Sequence, residues 1–280
     1  MKRISVVLLH VIFFLFLLPL LILAVASFTE DGLSQDQGVF SRLTFQQYRV
    51  FFQNQELLLR FRNSALLAGG SLLAGLLVAI LGGFWLNKSH CRFVAFFRLG
   101  MMVSLLLPVQ SVMVPVFRFA RWTGLYGRPL AVILMQTFLP LGPLTIFFLL
   151  RTIPEEQWEA GLLDCKSYLR IFIRAILPQM IPGVMILCLF LFAEAWNLVE
   201  WPLILLPEDM WPASLALNDI NGQESHAASV CYCLPILAAS GLMAVGGRKK
   251  RNEAKPLRGK RVSLDKRSKK QDNTRQRSGA

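Results

Sequence analysis

Residues 152–182, TIPEEQWEAGLLDCKSYLRIFIRAILPQMIP, form the longest polar-rich segment between two strongly apolar blocks, and the fold is read outward from them. Thr152 followed three residues later by Glu155 has the pattern of a capping box, and Pro154 falls in the first turn, where a missing N–H costs little. Glu155, Glu156 and Glu159 crowd the N-terminal turns, where the helix dipole favours negative charge. Trp158, Gly161 and Leu162 share one face at i, i+3 and i+4. A second helix is predicted beyond them, with Leu169, Phe172, Ile173 and Ile176 as an apolar stripe and Lys166, Arg170 and Arg174 as a basic one. The segment reads as a helical hairpin with an acidic first arm and a basic second arm, closed by Pro178 and Pro182. Periodicity alone makes it an amphipathic docking surface bordering a membrane.

The order of residues goes further. EAGLLDC at 159–165, then an apolar helix ending in ILP at 176–178 and a second proline at Pro182, resembles the EAA loop of ABC-importer permeases. Glu159, Ala160, Asp164, Leu177 and Pro178 match that pattern; Gly161 stands where a second alanine is usual, and Cys165 where a glycine is usual at the bend. The flanks resemble the maltose-type, carbohydrate-uptake group of these permeases. Asn63-Ser64 lies at the mouth of the second apolar run, PVQSVMVPVF at 108–117 precedes GLYGRPLAVIL at 124–134, and Trp196-Asn197 precedes Trp201-Pro202-Leu203. The likeness covers about residues 40–245.

This resemblance implies an all-α membrane protein, a six-span bundle of the type I importer kind with a cytoplasmic coupling hairpin. It implies that Trp158, Glu159, Ala160, Gly161, Asp164, Cys165 and Pro178 form the ATPase-coupling site, with Glu159 at the contact and Asp164 holding the bend. It also implies a second permease subunit, two copies of an ATP-binding subunit and an extracytoplasmic solute-binding protein, in a bacterial plasma membrane. No G-x-x-x-x-G-K-[ST] occurs in the chain, so any ATPase must be another polypeptide, and the chain is not expected to be an enzyme.

Composition bears on the same question. At 54% hydrophobic and a mean hydropathy of +0.49, the 280 residues are too apolar for an ordinary soluble domain. Six runs approach the roughly 20 residues that a bilayer crossing needs: 5–28, 64–86, 99–117, 131–150, 179–204 and 228–245. The expected organisation is a first anchor with a short external segment (1–58), a permease domain (59–245) and a basic tail (246–280). Lys2, Arg3 and the Ala24-Val25-Ala26 triplet also suit a cleaved signal, but the apolar core of the first run exceeds the 7–15 residues of a typical one, which favours an uncleaved anchor.

Placing the N-terminus in the cytoplasm puts 23 Lys and Arg in the inside segments and 7 in the outside ones, with the C-terminus also cytoplasmic. Much of that margin is the tail from Arg248 onward, whose 14 basic and 3 acidic residues cannot build a core. A solvated tail and a contact with anionic membrane lipid both suit it; without interleaved aromatics it gives no platform for nucleic acid.

Within the runs, Pro108, Pro115, Pro140 and Pro143 mark helices that are buried or line a cavity. Arg118, Arg121 and Arg128 read either as an anion cluster or as interfacial side chains beside Trp122 and Tyr126. Glu194 is the most expensive residue, since a mid-bilayer charge costs about 2.5–3.5 kcal/mol on insertion scales. A role in the translocation path is open for Glu194 and Asn197, as is a packing role, and Trp201 and Trp211 read as interface anchors. The five cysteines and three histidines form no spaced set, so neither a metal nor another cofactor is expected. Asn87-Lys88-Ser89 is a glycosylation pattern only by chance.

Two other classes were open. A secondary transporter needs internal repeats and coupling carboxylates in its spans, and a membrane enzyme needs titratable groups gathered in one pocket. Only Glu194 lies at depth. Among solutes, sugars lead by resemblance, with polyamines and glycerol phosphate as alternatives.

Overall fold

The computed structural model describes residues 2–29, 44–89, 91–164, 167–217 and 225–246, without the side chains of 2–7 and 164. Helices make up nearly all of them: α1 (Lys2–Ala26), α2 (Gln46–Gln53), α3 (Gln55–Lys88), α4 (Arg92–Ser104), α5 (Val109–Thr123), α6 (Pro129–Thr137) and α7 (Leu141–Arg151). Then come α8 (Glu155–Asp164), α9 (Tyr168–Ile171), a π-turn (Phe172–Ile176), α10 (Leu177–Trp196), α11 (Glu200–Leu205), α12 (Ala213–Ala216) and α13 (Ser225–Gly246). The chain divides into two units, Met1–Ile236 and Leu237–Ala280; of the second, only the end of α13 is described, with Leu237, Leu242 and Val245 exposed along it.

Among the described residues, five stretches are long and apolar enough to cross a membrane: Leu8–Ala26, Gln55–Lys88, Pro129–Arg151, Tyr168–Trp196 and Ser225–Gly246. The apolar run at 99–117 differs from the single span expected there. It is divided between α4 and α5, which meet at 111°. Proline biases its predecessor out of the helical region, and Pro108 is itself extended as the N-cap of α5, at ψ 135°. The Leu106 and Leu107 amides fall back on the Val103 and Ser104 carbonyls.

α3 is the axis of the first unit. Asn54 caps it, its Oδ1 accepting from the Glu56 and Leu57 amides at 3.1 and 3.2 Å. Its 34 residues rise about 50 Å, against a hydrocarbon core of about 30 Å. α6, α7 and α10 pack along it. The approach to α7 is close enough that a Cβ on Gly83 would meet Ile146 Cβ at 2.5 Å and the Pro143 carbonyl at 2.8 Å, so only hydrogen fits.

At the Gln55 end of α3, polar side chains hold the loop that follows α11. Arg60 donates to the Glu208 carbonyl. Asn63 Nδ2 reaches the Asp209 and Trp211 carbonyls at 3.4 Å, and Ser64 Oγ accepts from the Ala213 amide at 2.8 Å. The Asn-Ser pair noted in the sequence is thus a loop clamp. Trp201 and Trp211, expected as interface anchors, pack against the cluster of Leu67, Val132, Leu198 and Leu205.

α1 is held at its Ala26 end. Buried Gln47 donates to the Ala26 and Thr29 carbonyls at 3.1 and 2.6 Å and accepts from the Ala227 amide at 3.2 Å, joining α1, α2 and α13. Ser27 and Tyr48 hydroxyls meet beside it at 2.9 Å. Along most of its length α1 leaves its apolar side chains exposed.

Candidate coupling site and polar girdle

The hairpin is built on the Lys88 end of α3. Its inner face is apolar: Trp158, Ile171, Phe172 and Ile176 are buried with Ile146 and Leu150 of α7 and Met180 of α10, and Leu162 packs against them. Phe84 of α3 sits between the two arms, its ring 6.4 Å from Trp158 and 4.8 Å from Phe172. One turn on, Lys88 lays its ammonium 3.8 Å from the centre of the Trp158 ring and 5.0 Å from that of Tyr168, and pairs with Glu155 Oε1 at 3.5 Å. A cation over indole is worth about 0.5–2 kcal/mol; the pair with Glu155, a side chain 76% exposed, adds little. As the last residue of α3, Lys88 also complements the helix dipole.

The face shared by Trp158, Gly161 and Leu162 is this inner one, so Trp158, 2% exposed, packs within the hairpin instead of projecting from it. Gly161 is there for space. A Cβ in its place would stand 2.7 Å from Ile171 Cγ2 and 3.3 Å from Cγ1. Where the resembling loops carry alanine, this chain brings the second arm against the backbone of the first.

The opposite face of α8 carries Glu156, Glu159, Ala160 and Leu163, all exposed, and Leu163 is 90% exposed. Sequence reasoning passed over Leu163, although it stands at i+4 from Glu159 and i+3 from Ala160 and so extends their face. Lys88 was also missed; it was seen only as part of a chance glycosylation pattern. Cys165 and Lys166 lie outside the described residues, as does the Asp164 side chain.

Two local expectations are corrected. Thr152 forms no capping box with α8: it is the C-cap of α7, and its hydroxyl donates to the Leu149 carbonyl at 2.7 Å. Only two residues separate it from α8, and the open carbonyls of the preceding helix end take its hydroxyl. Nor do Pro178 and Pro182 close the hairpin, for both lie inside α10. Pro178 lacks the N–H that the Arg174 carbonyl would take, and its ring would strike that carbonyl in a regular α-turn. The backbone widens instead, with the Leu177 amide bonding to the Phe172 carbonyl across a π-turn. Gln179 Nε2 covers the neighbouring Ala175 carbonyl at 2.9 Å.

At the far end of α10 a polar girdle forms. Trp196 Nε1 donates to the Tyr232 carbonyl at 3.1 Å, and the Tyr232 hydroxyl donates back to the Trp196 carbonyl at 2.8 Å. Asn197 Oδ1 lies 3.1 Å from that hydroxyl, and Asn197 Nδ2 donates to the Ala193 carbonyl at 2.9 Å. Trp196 is therefore a packing residue. Glu194 points elsewhere: Ile186, Phe190, Glu194 and Asn197 form one exposed stripe along α10. Of the arginines at 118, 121 and 128, Arg121 stacks on Phe117 and Tyr126, 5.9 and 5.0 Å from their ring centres.

The same fold is found in the crystal structure of a bacterial ABC transporter that imports the acidic polysaccharide alginate. The match has a TM-score of 0.77 at 16% identity, over 87% of this chain and 95% of that one. Among curated proteins the chain is similar to the diacetylchitobiose uptake system permease protein DasC of Streptomyces coelicolor, 25% identical over 77% of this chain and 85% of that protein. It is likewise similar to the arabinooligosaccharides transport system permease protein AraQ of Halalkalibacterium halodurans, 27% identical over 80% and 85%. The melibiose/raffinose/stachyose import permease protein MelC of Bacillus subtilis is 24% identical over 81% and 82%. Residues 71–248, which take in most of α3, the whole hairpin and α10, match the model of one family along their length. This chain belongs to that family, the inner membrane components of binding-protein-dependent transport systems.

Proposed function

We propose that the chain is a permease subunit of an ATP-driven importer of an oligosaccharide or related sugar, forming half of the transmembrane path and receiving force from a separate ATPase through the hairpin at 152–178. The observation that carries this reading is the outer face of α8. Glu159, Ala160 and Leu163 stand clear on a helix whose other side packs through Trp158, Gly161 and Leu162, and a 90%-exposed leucine beside a carboxylate suits a groove with an apolar floor and a polar rim. Trp158, Gly161 and Pro178 serve the site from behind, by seating α8 on its base, and Asp164 and Cys165 complete it.

The basic residues orient the hairpin to the cytoplasm, where the ATPase is, with both termini on the same side. The complete importer contains a second permease subunit, two ATPase copies and an external solute-binding protein. The stripe of Ile186, Phe190, Glu194 and Asn197 faces that second subunit, and Glu194 and Asn197 line the path there. Sugars are favoured because diacetylchitobiose, arabinooligosaccharides and melibiose are the cargo named for the relatives.

The test is a pull-down of the ATPase subunit from membranes by the tagged chain. Capture that is lost on replacing Glu159 and Asp164 by alanine supports the reading. Capture that is indifferent to both residues refutes the hairpin as the docking element. Uptake measured over a panel of labelled oligosaccharides in a deletion strain then names the solute.

A further inference from the structure

We infer that Lys88 is a positioning residue that fastens both arms of the hairpin to α3, so that α3 and the hairpin move as one body. The inference rests on the coupling reading only for the source of the movement.

A lysine at the end of a membrane helix ordinarily extends its ammonium into water. Lys88 does the opposite. Its side chain is only 19% exposed, and its tip lies over Trp158 of the first arm and Tyr168 of the second, with Glu155 as counter-charge. Phe84 beneath it also touches both arms, through Trp158 and Phe172. Apolar packing of this kind permits sliding; a cation held over two ring faces fixes direction. Trp158 and Tyr168, 6.3 Å apart, are the side chains through which the two arms meet at this point. About 40 Å along the same helix, Arg60, Asn63 and Ser64 hold the loop beyond α11. A displacement of the hairpin is then delivered by α3 to the opposite end of the bundle, in parallel with its delivery through α10.

The experiment places spin labels on α8 and α3, at Gln157→Cys and Leu81→Cys, both exposed sites, with the five native cysteines replaced by serine. Distance distributions are recorded by double electron–electron resonance in nanodiscs, on the permease alone and on the complete complex, with and without ATP and vanadate. In the otherwise wild-type chain the distribution is expected to be narrow and its mean unchanged by nucleotide. Lys88→Met is expected to at least double its width, and Lys88→Arg to restore it, since a guanidinium makes the same ring and carboxylate contacts. Tyr168→Leu, which frees the second arm with Lys88 in place, is expected to broaden it as well; this variant decides the matter if Lys88→Met does not fold. Widths in Lys88→Met or Tyr168→Leu equal to wild type overturn the inference, as does a wild-type mean that shifts on vanadate trapping. Failure of the wild-type chain to retain any ATPase counts against the coupling reading alone, because the widths of the isolated permease already decide the clasp.

Discussion

Replacing Gly161 by alanine sets two effects of opposite sign against each other. In a free helix the change stabilises by about 1 kcal/mol, because alanine loses less backbone entropy than glycine. Here the new methyl would stand 2.7 Å from Ile171 Cγ2, closer than carbon atoms can rest. Ile171 is 3% exposed and branched at Cβ, so it has little room to turn away. Overpacking of this kind costs about 1–3 kcal/mol. The net expectation is a loss of about 1 kcal/mol, with local opening of the hairpin. Leucine at 171 keeps the volume but has no Cγ2 branch, and alone should cost less than about 1.5 kcal/mol. In the pair Gly161→Ala/Ile171→Leu the clash is gone while the helical gain stays, so a double-mutant cycle should show a favourable coupling of about 1 kcal/mol or more. Thermal unfolding of the purified permease gives the four stabilities, and hydrogen exchange of residues 155–176 localises the change. A Gly161→Ala variant more stable than wild type, with no coupling to position 171, would refute the packing described.

Further outcomes are expected at three sites. Leu163→Asp should leave unfolding within about 0.5 kcal/mol of wild type, yet weaken ATPase capture roughly tenfold or more, because a leucine side chain buried at a contact is worth about 1.5–3 kcal/mol; thermal unfolding reads the first, and titration of the purified ATPase against the nanodisc-borne permease the second. Ser71→Ala in α3 should raise stability by about 1 kcal/mol in thermal unfolding, since the Ser71 hydroxyl is buried without a hydrogen-bond partner. Gln47→Leu should lower it by about 2 kcal/mol or more, as the Thr29 carbonyl and Ala227 amide lose the Gln47 amide group; loss of protection at the Ala227 amide in hydrogen exchange checks the cause.

The helical class, the membrane character and the family were legible in the sequence because they rest on composition and on short-range order. Apolar runs of bilayer length need no tertiary information, and the order EAGLLDC…ILP is local. What was not legible depends on direction in space. Hydropathy over 99–117 sums apolar side chains and carries no sign of a 111° bend, although Pro108 marks the spot. Pro178 reads as a helix stop in one dimension; in the bundle, a widened turn and the Gln179 amide accommodate it. Thr152 has two helix ends within reach, and spacing alone does not choose between them. Lys88 and Glu155 lie 67 positions apart, and their meeting is a product of how α3 and the hairpin pack. The exposed face of α8 was half legible: Glu159 and Ala160 came through resemblance, while Leu163 needed the fold to show that it points outward.

A π-turn is an α-helix holding one residue too many. In the continuous run from Tyr168 to Trp196 that surplus lies between Ile171 and Leu177. Excising one residue there, with Pro178 exchanged for alanine so that the ordinary ladder can close, leaves Ile171 and Met180 aimed as before. Excision at any other point of the run turns everything beyond it by about 100° and carries Trp196 away from Tyr232. The rod thus has one joint at which its length can change while its faces stay in phase.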